Sequence, residues 1–259
     1  YTIEEDNSGD IWVGGQKGLS IYNVLTSKFS KVRYTSLSGS LENLQDNVHL
    51  VKAVGPDCIL VATQHTGLLL FKKGTANGLQ ISLNDLHSGD YDVTALEQST
   101  DHRLWVFVQH EGLFSYDLTQ KKLLRVNSSI LQGNCLKTDR KGRLWLANDA
   151  GLFLYDPKSN GYSGNFMPAK VKIVTLCSDK QGALWIGSDG TGLWALPDNA
   201  PLASPMTGSN GRPLINSNSA FTIYEDAEGR KWINHRQLDC LLYPISPSLF
   251  YFFPNLLGK

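Results

Sequence analysis

The sequence lacks the features that mark membrane-spanning, nucleic-acid-binding and disulfide-stabilised proteins. It has no apolar run of about eighteen residues, so it contains no predicted transmembrane helix. Basic and acidic residues are equal at 24 each with no basic block, so nucleic acid is not an expected partner. The four cysteines show no Cys-x-x-Cys spacing, and a chain of 259 residues needs no disulfide framework. We expect Cys135 and Cys177 to be buried free thiols.

Signatures of catalysis and of metal binding are also scarce. There is no Gly-x-Ser-x-Gly or His-Glu-x-x-His motif and no close acid pair, so we predict no catalytic residue and no cofactor. His65 and His110 occupy equivalent repeat positions with Glu111 nearby, but nothing else supports a metal site, and none is predicted. Residues 187–192 have the composition of a glycine-rich phosphate loop, yet no helix follows, which favours a β-hairpin turn.

The bulk composition favours a packed β protein. Apolar residues make up 41% and charged residues only 19%, which argues against a disordered chain. The first residue is Tyr1 and it already lies inside a repeat, so we expect the chain to be a piece of a longer protein.

One short phrase recurs along the chain and contains five of the six tryptophans. It runs Asp-x-x-Gly-x-x-Trp and ends a few residues later in Gly-Leu. Its tryptophan position falls at residues 12, 60, 105, 145, 185 and 232, with Leu60 replacing the tryptophan in the second copy, and separations of 48, 45, 40, 40 and 47 residues. The third copy has Ser99 and His102 where Asp and Gly are expected. A period of about 40 to 48 residues with several short strands is typical of a propeller.

The fourth repeat shows how one copy should fold. Strands are predicted at residues 135–138, 144–147 and 151–155, with a fourth within 162–166, and Asp139 and Gly142 suit the first tight turn. Four antiparallel strands make one propeller blade. The sequence therefore predicts an all-β fold, a β-propeller of about six four-stranded blades or a fragment of a larger array, with residues 1–259 as one domain. Residues 234–259 are degenerate, and form either a worn terminal blade or sequence foreign to the parent protein.

The middle strands are apolar on both faces, as in residues 184–186, which predicts that each blade is covered on both sides. The repeat tryptophans should then fill the gaps between sheets. Trp194 lies outside the phrase and is expected to matter less for stability.

The phrase resembles the two-component regulator propeller repeat, most closely at residues 6–14 and 179–187. The resemblance extends through Trp232. It implies a piece of the periplasmic sensor region of a hybrid two-component histidine kinase, whose parent is anchored in the inner membrane. Many members of that family are thought to detect breakdown products of complex polysaccharides. The resemblance thus implies an oligosaccharide ligand and neighbouring sensor modules of the parent chain as partners, and it allows a homodimer.

Blade geometry indicates where a ligand would bind. The loops between second and third strands open on the same side as the connections between blades, and the Asp-x-x-Gly turns lie on the other side. Ligand sites favour loops on a rigid scaffold, and amide, carboxylate and imidazole groups suit a hydroxyl-rich sugar. The candidate ligand-binding residues are Gln64, His65, Gln109, His110, Asn148 and Asp189. The long segments 36–47 and 197–218 are further candidates.

Three functions remain open at this stage. The leading one is a non-catalytic ligand-sensing propeller; the others are a protein-interaction scaffold and a propeller lyase or glycosidase. Exposed aromatic residues at the loops would favour sugar binding, whereas a broad apolar surface would favour a protein partner.

Overall fold

The computed structural model describes residues 2–82, 91–99, 103–118, 120, 122–208, 210–235, 240–243 and 251–253, with only the backbone described at 235, 240–243 and 251–253. Its described residues form β-strands and connecting segments and contain no helix, so no helix there is long and apolar enough to cross a membrane. The chain divides into two compact units, residues 1–133 and 134–259. The prediction of a single domain stays a prediction.

The first unit contains three sheets. The first sheet is formed by β1 (Thr2–Glu5), β2 (Ile11–Gly15), β3 (Gly18–Asn23) and β4 (Lys28–Lys31). The second is formed by β5 (Arg33–Thr35), β6 (Leu41–Asn43), β7 (Val48–Val54), β8 (Cys58–Thr63), β9 (Leu68–Lys72) and β10 (Asn77–Gln80). The third is formed by β11 (Val93–Gln98), β12 (Leu104–Val108), β13 (Gly112–Asp117) and β14 (Lys122–Asn127).

The second unit also contains three sheets, each with four strands. The fourth sheet is formed by β15 (Cys135–Thr138), β16 (Leu144–Asn148), β17 (Gly151–Asp156) and β18 (Gly161–Asn165). The fifth is formed by β19 (Ile173–Ser178), β20 (Leu184–Ser188), β21 (Leu193–Leu196) and β22 (Ser204–Pro205). The sixth is formed by β23 (Ala220–Glu225), β24 (Lys231–His235), β25 (Cys240–Tyr243) and β26 (Tyr251–Phe253).

Consecutive sheets are stacked inside each unit. Strand β1 packs against β7 and β7 against β11 in the first unit, and β15 packs against β19 and β19 against β23 in the second. Stacked antiparallel meanders of this kind are the blades of a β-propeller. The all-β propeller prediction is therefore confirmed, and the strands predicted for the fourth repeat are those observed. The degenerate tail supplies β25 and β26 of a four-stranded sheet. The described residues do not include 236–239, which contain Asp239, nor 244–250 and 254–259.

The second sheet corrects the prediction of four strands in every blade. Residues 33–43 form a hairpin of β5 and β6, and β5 pairs in parallel with the outer strand β10. The long polar segment 36–47 therefore contains part of this hairpin instead of being wholly irregular. Its turn is closed by a hydrogen bond from the Gly39 amide to the Ser36 carbonyl (2.9 Å).

The Asp-x-x-Gly turn is built by one buried carboxylate. In the first sheet the Gly9 amide donates to the Asp6 carbonyl (2.9 Å), and Gly9 has a φ of 81°, which favours glycine. The Asp6 carboxylate accepts hydrogen bonds from the Ser8 amide (2.7 Å) and from Nε1 of Trp12 (2.9 Å). The same indole-to-carboxylate bond joins Trp145 to Asp139, Trp185 to Asp179 and Trp232 to Asp226. The phrase thus fixes its turn and its tryptophan together.

The repeat tryptophans lie between sheets, as predicted. Trp12 is 1% exposed and packs edge-on against Phe71 of the second sheet, with ring centroids 5.4 Å apart. Trp145 belongs to a core cluster with Ile173 and Ile186 of the fifth sheet, and Trp185 to one with residues of the sixth. Among the cysteines, Cys177 is a buried free thiol as expected, whereas Cys135 is a free thiol that is only half-buried. Apolar side chains of one sheet are therefore buried against the next sheet in the same unit.

Candidate functional site

Each sheet has two ends with different construction. We call the end that carries the turn between its second and third strands the loop end, and the opposite end the Asp-turn end. In the first unit the loop end is formed by residues 16–17, 64–67 and 109–111, and in the second by residues 149–150 and 189–192. The segments that lead from one sheet to the next lie at the same end, as the predicted geometry requires.

In the second sheet the loop is held by Asp46. Its carboxylate accepts hydrogen bonds from the backbone amides of Asn47 (2.7 Å), His65 (2.9 Å) and Thr66 (2.6 Å). Burial alone would raise the pKa of Asp46, but these backbone donors outweigh it and hold the pKa below its usual value. Gln64 is half-buried, its backbone amide donates to the Asn47 backbone carbonyl (2.9 Å), and His65 is exposed.

In the third sheet the corresponding residues are Gln109 and His110. The Gln109 side-chain carbonyl accepts a hydrogen bond from the Gly133 amide (3.1 Å), so this amide group holds the segment that leaves the sheet. His110 is exposed, has a positive φ of 65°, and donates its backbone amide to the Leu131 carbonyl (2.7 Å). Glu111 forms an ion pair with Arg125. Among the described residues no group of three His, Cys, Asp or Glu side chains is placed to hold a metal ion.

The two candidate residues of the second unit, Asn148 and Asp189, both form hydrogen bonds with neighbouring residues of the chain. Asn148 is 7% exposed, and its side-chain oxygen accepts hydrogen bonds from the amides of Ala150 (2.8 Å) and Gly151 (3.1 Å). Asp189 accepts a hydrogen bond from the Ser219 hydroxyl (3.0 Å) and lies 3.4 Å from Nζ of Lys172. Residues 189–192 form the turn between β20 and β21, which confirms the predicted hairpin in place of a phosphate loop.

Among the described residues, a cavity opens at the loop end in each unit. The cavity of the first unit, about 430 Å³, is lined by Gln16, Lys17, Leu19, Ser20, Lys31, Val32, Asn43, Leu44 and Gln45. The cavity of the second unit, about 380 Å³, is mainly apolar and is lined by residues 191–193, 205–207 and 212–218. None of the six predicted site residues lines either cavity.

The structural elements that line these cavities are nevertheless those that the sequence indicates. Gln16 and Lys17 form the β2–β3 loop, residues 43–45 belong to the long segment 36–47, and residues 205–218 belong to the long segment 197–218. The individual lining residues were not among the six candidate residues. The two long segments 36–47 and 197–218 are the sequence signal that identifies many of the lining residues.

Comparison with known proteins supports the repeat assignment. Residues 168–190 match the family model described as two component regulator propeller, so the predicted resemblance is confirmed for that stretch. A search of curated proteins finds no match to the sequence.

Solved structures share the fold at low sequence identity. An extracellular domain described as part of a hybrid two-component system from B. thetaiotaomicron has a TM-score of 0.72 and 19% identity, covering 89% of this chain and 31% of that one. A second such domain from the same organism has a TM-score of 0.69 and 16% identity, covering 89% and 32%. The chain therefore spans about a third of the length of these sensor domains.

Enzymes share the fold as well. Virginiamycin B lyase from Staphylococcus aureus has a TM-score of 0.72 and 12% identity, covering 100% of this chain and 85% of that one. At such identities the similarity establishes the β-propeller fold, and function must be argued from the site.

Proposed function

We propose that this chain is a non-catalytic, ligand-sensing propeller piece of a periplasmic two-component receptor, and that its ligand is an oligosaccharide released from a polysaccharide. The repeat match at residues 168–190 and the fold similarity to extracellular domains of hybrid two-component systems support the sensor assignment. Neighbouring sensor modules of the parent chain are its proposed partners.

The observation that carries the ligand class is the cavity of the first unit. Its walls contain the amide side chains of Gln16, Asn43 and Gln45, which offer both donors and acceptors to sugar hydroxyls. Its apolar residues Leu19 and Leu44 are buried in the core, so they give the polar groups of the cavity a rigid base. A cavity of about 430 Å³ is large enough for one or two sugar units.

Calorimetric titration with a panel of oligosaccharides tests this proposal. We expect Asn43→Ala and Gln45→Ala to weaken binding by about tenfold each, the effect of one lost hydrogen bond to a neutral group plus its unpaired partner. Asn7→Ala and Lys141→Ala, at the Asp-turn end, are the controls and should leave affinity unchanged. Binding lost only in the two controls would place the site at the wrong end of the sheets.

The six residues predicted from sequence belong in the same experiment. Alanine variants of exposed His65 and His110 should keep their stability within about 0.5 kcal/mol. Asn148→Ala and Asp189→Ala should lose stability, because both side chains hold backbone or side-chain partners in their own loops. A fall in affinity without a fall in stability at His65 or His110 would extend the site to those loops.

A protein-docking role is the second candidate, and one surface favours it. Leu41 and Leu79 both pair with Thr35, so they lie in one row on the same face of β6, β5 and β10. They are 54% and 47% exposed, and Leu37 in the adjoining turn is 58% exposed. Sedimentation of the chain and of a Leu41→Lys, Leu79→Lys double variant tests whether this face forms a homodimer. A wild-type chain that stays monomeric at high concentration would exclude that dimer.

A lyase or glycosidase function is the third candidate, and it rests on the fold shared with virginiamycin B lyase. Incubation of the bound oligosaccharides with the purified chain, followed by chromatography of the products, distinguishes it from the proposed sensor. Shortened or unsaturated products that appear with the wild-type chain and not with heat-denatured chain would establish an enzyme.

A further inference from the structure

The cavity of the first unit is held in shape by a close backbone contact. Gly18 has a φ of 108°, and a Cβ at this position would lie 2.1 Å from the carbonyl oxygen of Leu44. The segment 43–45 therefore rests directly on the end of the β2–β3 loop. Leu44 is 5% exposed and belongs to the core of the first unit, so this wall of the cavity is tied to the core.

The floor and the opposite wall come from the β3–β4 hairpin. Ser20 and Lys31 are paired across β3 and β4, so their side chains lie on the same face of the sheet. Leu19 and Val32, the sequence neighbours of this pair, line the same cavity, are 4% and 2% exposed, and also belong to the core of the first unit. Lys31 thus stands at one side of an apolar floor, and the loop residue Lys17 lies along the cavity's rim.

The two lysines give this cavity a charge that nothing on its lining offsets. None of the described residues that line it is acidic. Neither Lys17 nor Lys31 forms an ion pair with a described carboxylate, although eight other described basic side chains, including Lys52, Arg143 and Lys231, do so. Two exposed ammonium groups beside amides and an apolar floor favour an anionic ligand.

We propose that this cavity selects oligosaccharides that carry an anionic group, either a uronate carboxylate or a sulfate ester. The inference rests on the proposed sensor function and names its ligand class. The anion lies between Lys17 and Lys31, which supply three donors each. The hydroxyls of the sugar bond to Gln16, Asn43 and Gln45, above the apolar base that Leu19 and Leu44 form. An anionic group on the ligand explains why two lysines line the cavity, and sugar hydroxyls explain why three amide side chains do so.

Titration of the 259-residue chain with three oligosaccharides of equal length tests the selection. The probes are an oligogalacturonate, a sulfated galactose oligomer and a neutral galactose oligomer. We expect at least one anionic probe to bind about tenfold or more tightly than the neutral one, as a charge-assisted hydrogen bond predicts. The preferred anion identifies carboxylate or sulfate as the source of the charge. Affinity should fall as salt rises from about 0.01 M to about 0.15 M, because the Debye length shortens from about 30 Å to about 8 Å.

Substitutions of single lysines show which side chains produce the preference for an anionic oligosaccharide. Lys17→Gln and Lys31→Gln should each weaken binding of the anionic probe about tenfold and leave the neutral probe unchanged. Lys28→Gln is the matched control, because Lys28 is exposed at the other end of β4. Equal affinity for all three probes, or equal losses in the Lys28 variant, would overturn the anionic selection while leaving the sensor proposal intact. Absence of binding to every oligosaccharide would overturn both.

Discussion

At the scale of single residues, the repeated aspartate does more than close a turn. In four sheets its carboxylate also accepts a hydrogen bond from the indole of the repeat tryptophan six positions later. At Asp226, burial would raise the pKa, but hydrogen bonds from Trp232 and Arg230 lower it to about 2. The sequence showed the spacing of Asp and Trp, but the bond between them could not be deduced without the turn geometry.

Replacement of a repeat tryptophan should be costly. We expect Trp145→Ala to lower the free energy of unfolding by about 3 to 5 kcal/mol, the range for a large buried side chain. Trp194→Ala should cost less, since Trp194 is more exposed (9% against 2%) and its indole bonds only to the loop hydroxyl of Thr191. Urea denaturation midpoints measure both losses. Equal losses would contradict the special role of the repeat position.

Asp139 and Asp179, two of the three repeat aspartates of the second unit, should differ in their contribution to stability. Lys231 is only 6% exposed and lies 3.7 Å from Asp179 and 3.6 Å from Glu225, whereas Arg143 beside Asp139 is 34% exposed. We therefore expect Asp179→Asn to cost about 3 kcal/mol, because it leaves a buried ammonium with one partner fewer. Asp139→Asn should cost about 1 to 2 kcal/mol. Guanidinium unfolding of both variants checks the order, and a larger loss at Asp139 would refute it.

At the scale of elements, the glycines that begin the third strands β3, β13 and β17 mark close approaches of two chain segments. Besides Gly18, Gly112 has a φ of 100°, and a Cβ there would lie 2.3 Å from the Asn127 carbonyl oxygen. The repeat of Gly-Leu was visible in the sequence, whereas the segment that passes over it was not. Recurrent irregularities also went unpredicted: the first strands β7, β11, β19 and β23 each shift register against their partners near the loop end.

A matched pair of glycines separates backbone strain from steric exclusion. Gly39 has a φ of 87° and no atom within 4 Å of a Cβ, so Gly39→Ala should cost only the conformational penalty of about 1 to 2 kcal/mol. Gly18→Ala should cost more than Gly39→Ala, because the Leu44 carbonyl must also move. Thermal denaturation gives the comparison. Amide exchange at residues 43–45 should quicken only in the Gly18 variant, and unchanged exchange there would contradict the proposed contact.

Acid should loosen the loop that Asp46 holds. Its folded-state pKa lies below the unfolded value of about 3.9, so its contribution is complete above that value and is lost as pH falls through the folded pKa. We expect the wild-type chain to lose more stability than Asp46→Asn between about pH 6 and about pH 3. Denaturant midpoints at the two pH values measure the difference. Identical losses in both proteins would show that Asp46 does not contribute to the acid sensitivity.

At the scale of the whole molecule, the repeat pattern was sufficient to predict the fold class and the positions of the sheets. The period and the turn residues determine where each sheet begins, and these are local signals. The β5–β6 hairpin was missed because a parallel pairing with β10 depends on contacts distant in sequence. The six candidate residues lie at the loop end, as the described cavities do, but none of them lines a cavity, since cavity walls depend on how far each long segment folds back.

Ligand binding should be detectable as stabilisation of the chain. A ligand present at about one hundred times its dissociation constant adds about 2.7 kcal/mol to the free energy of unfolding. We expect the preferred anionic oligosaccharide to raise the Tm of the wild-type chain and of Lys28→Gln, but not of a Lys17→Gln, Lys31→Gln double variant. A calorimetric scan with and without the oligosaccharide provides the measurement. An equal rise in the double variant would place the bound sugar elsewhere.

The parallel pairing of β5 with β10 determines when the second sheet can be completed during synthesis. Arg33 and its partner Asn77 are 44 residues apart (77 − 33), with β7, β8 and β9 between them. At about 5 to 20 residues per second, a ribosome needs about 2 to 9 s to supply that interval. During this time the β5–β6 hairpin has no sheet to join, and Leu41 and the open edge of β5 are exposed to other chains. Nascent chains that emerge together are therefore most vulnerable to mispairing at this hairpin, before β10 has been made.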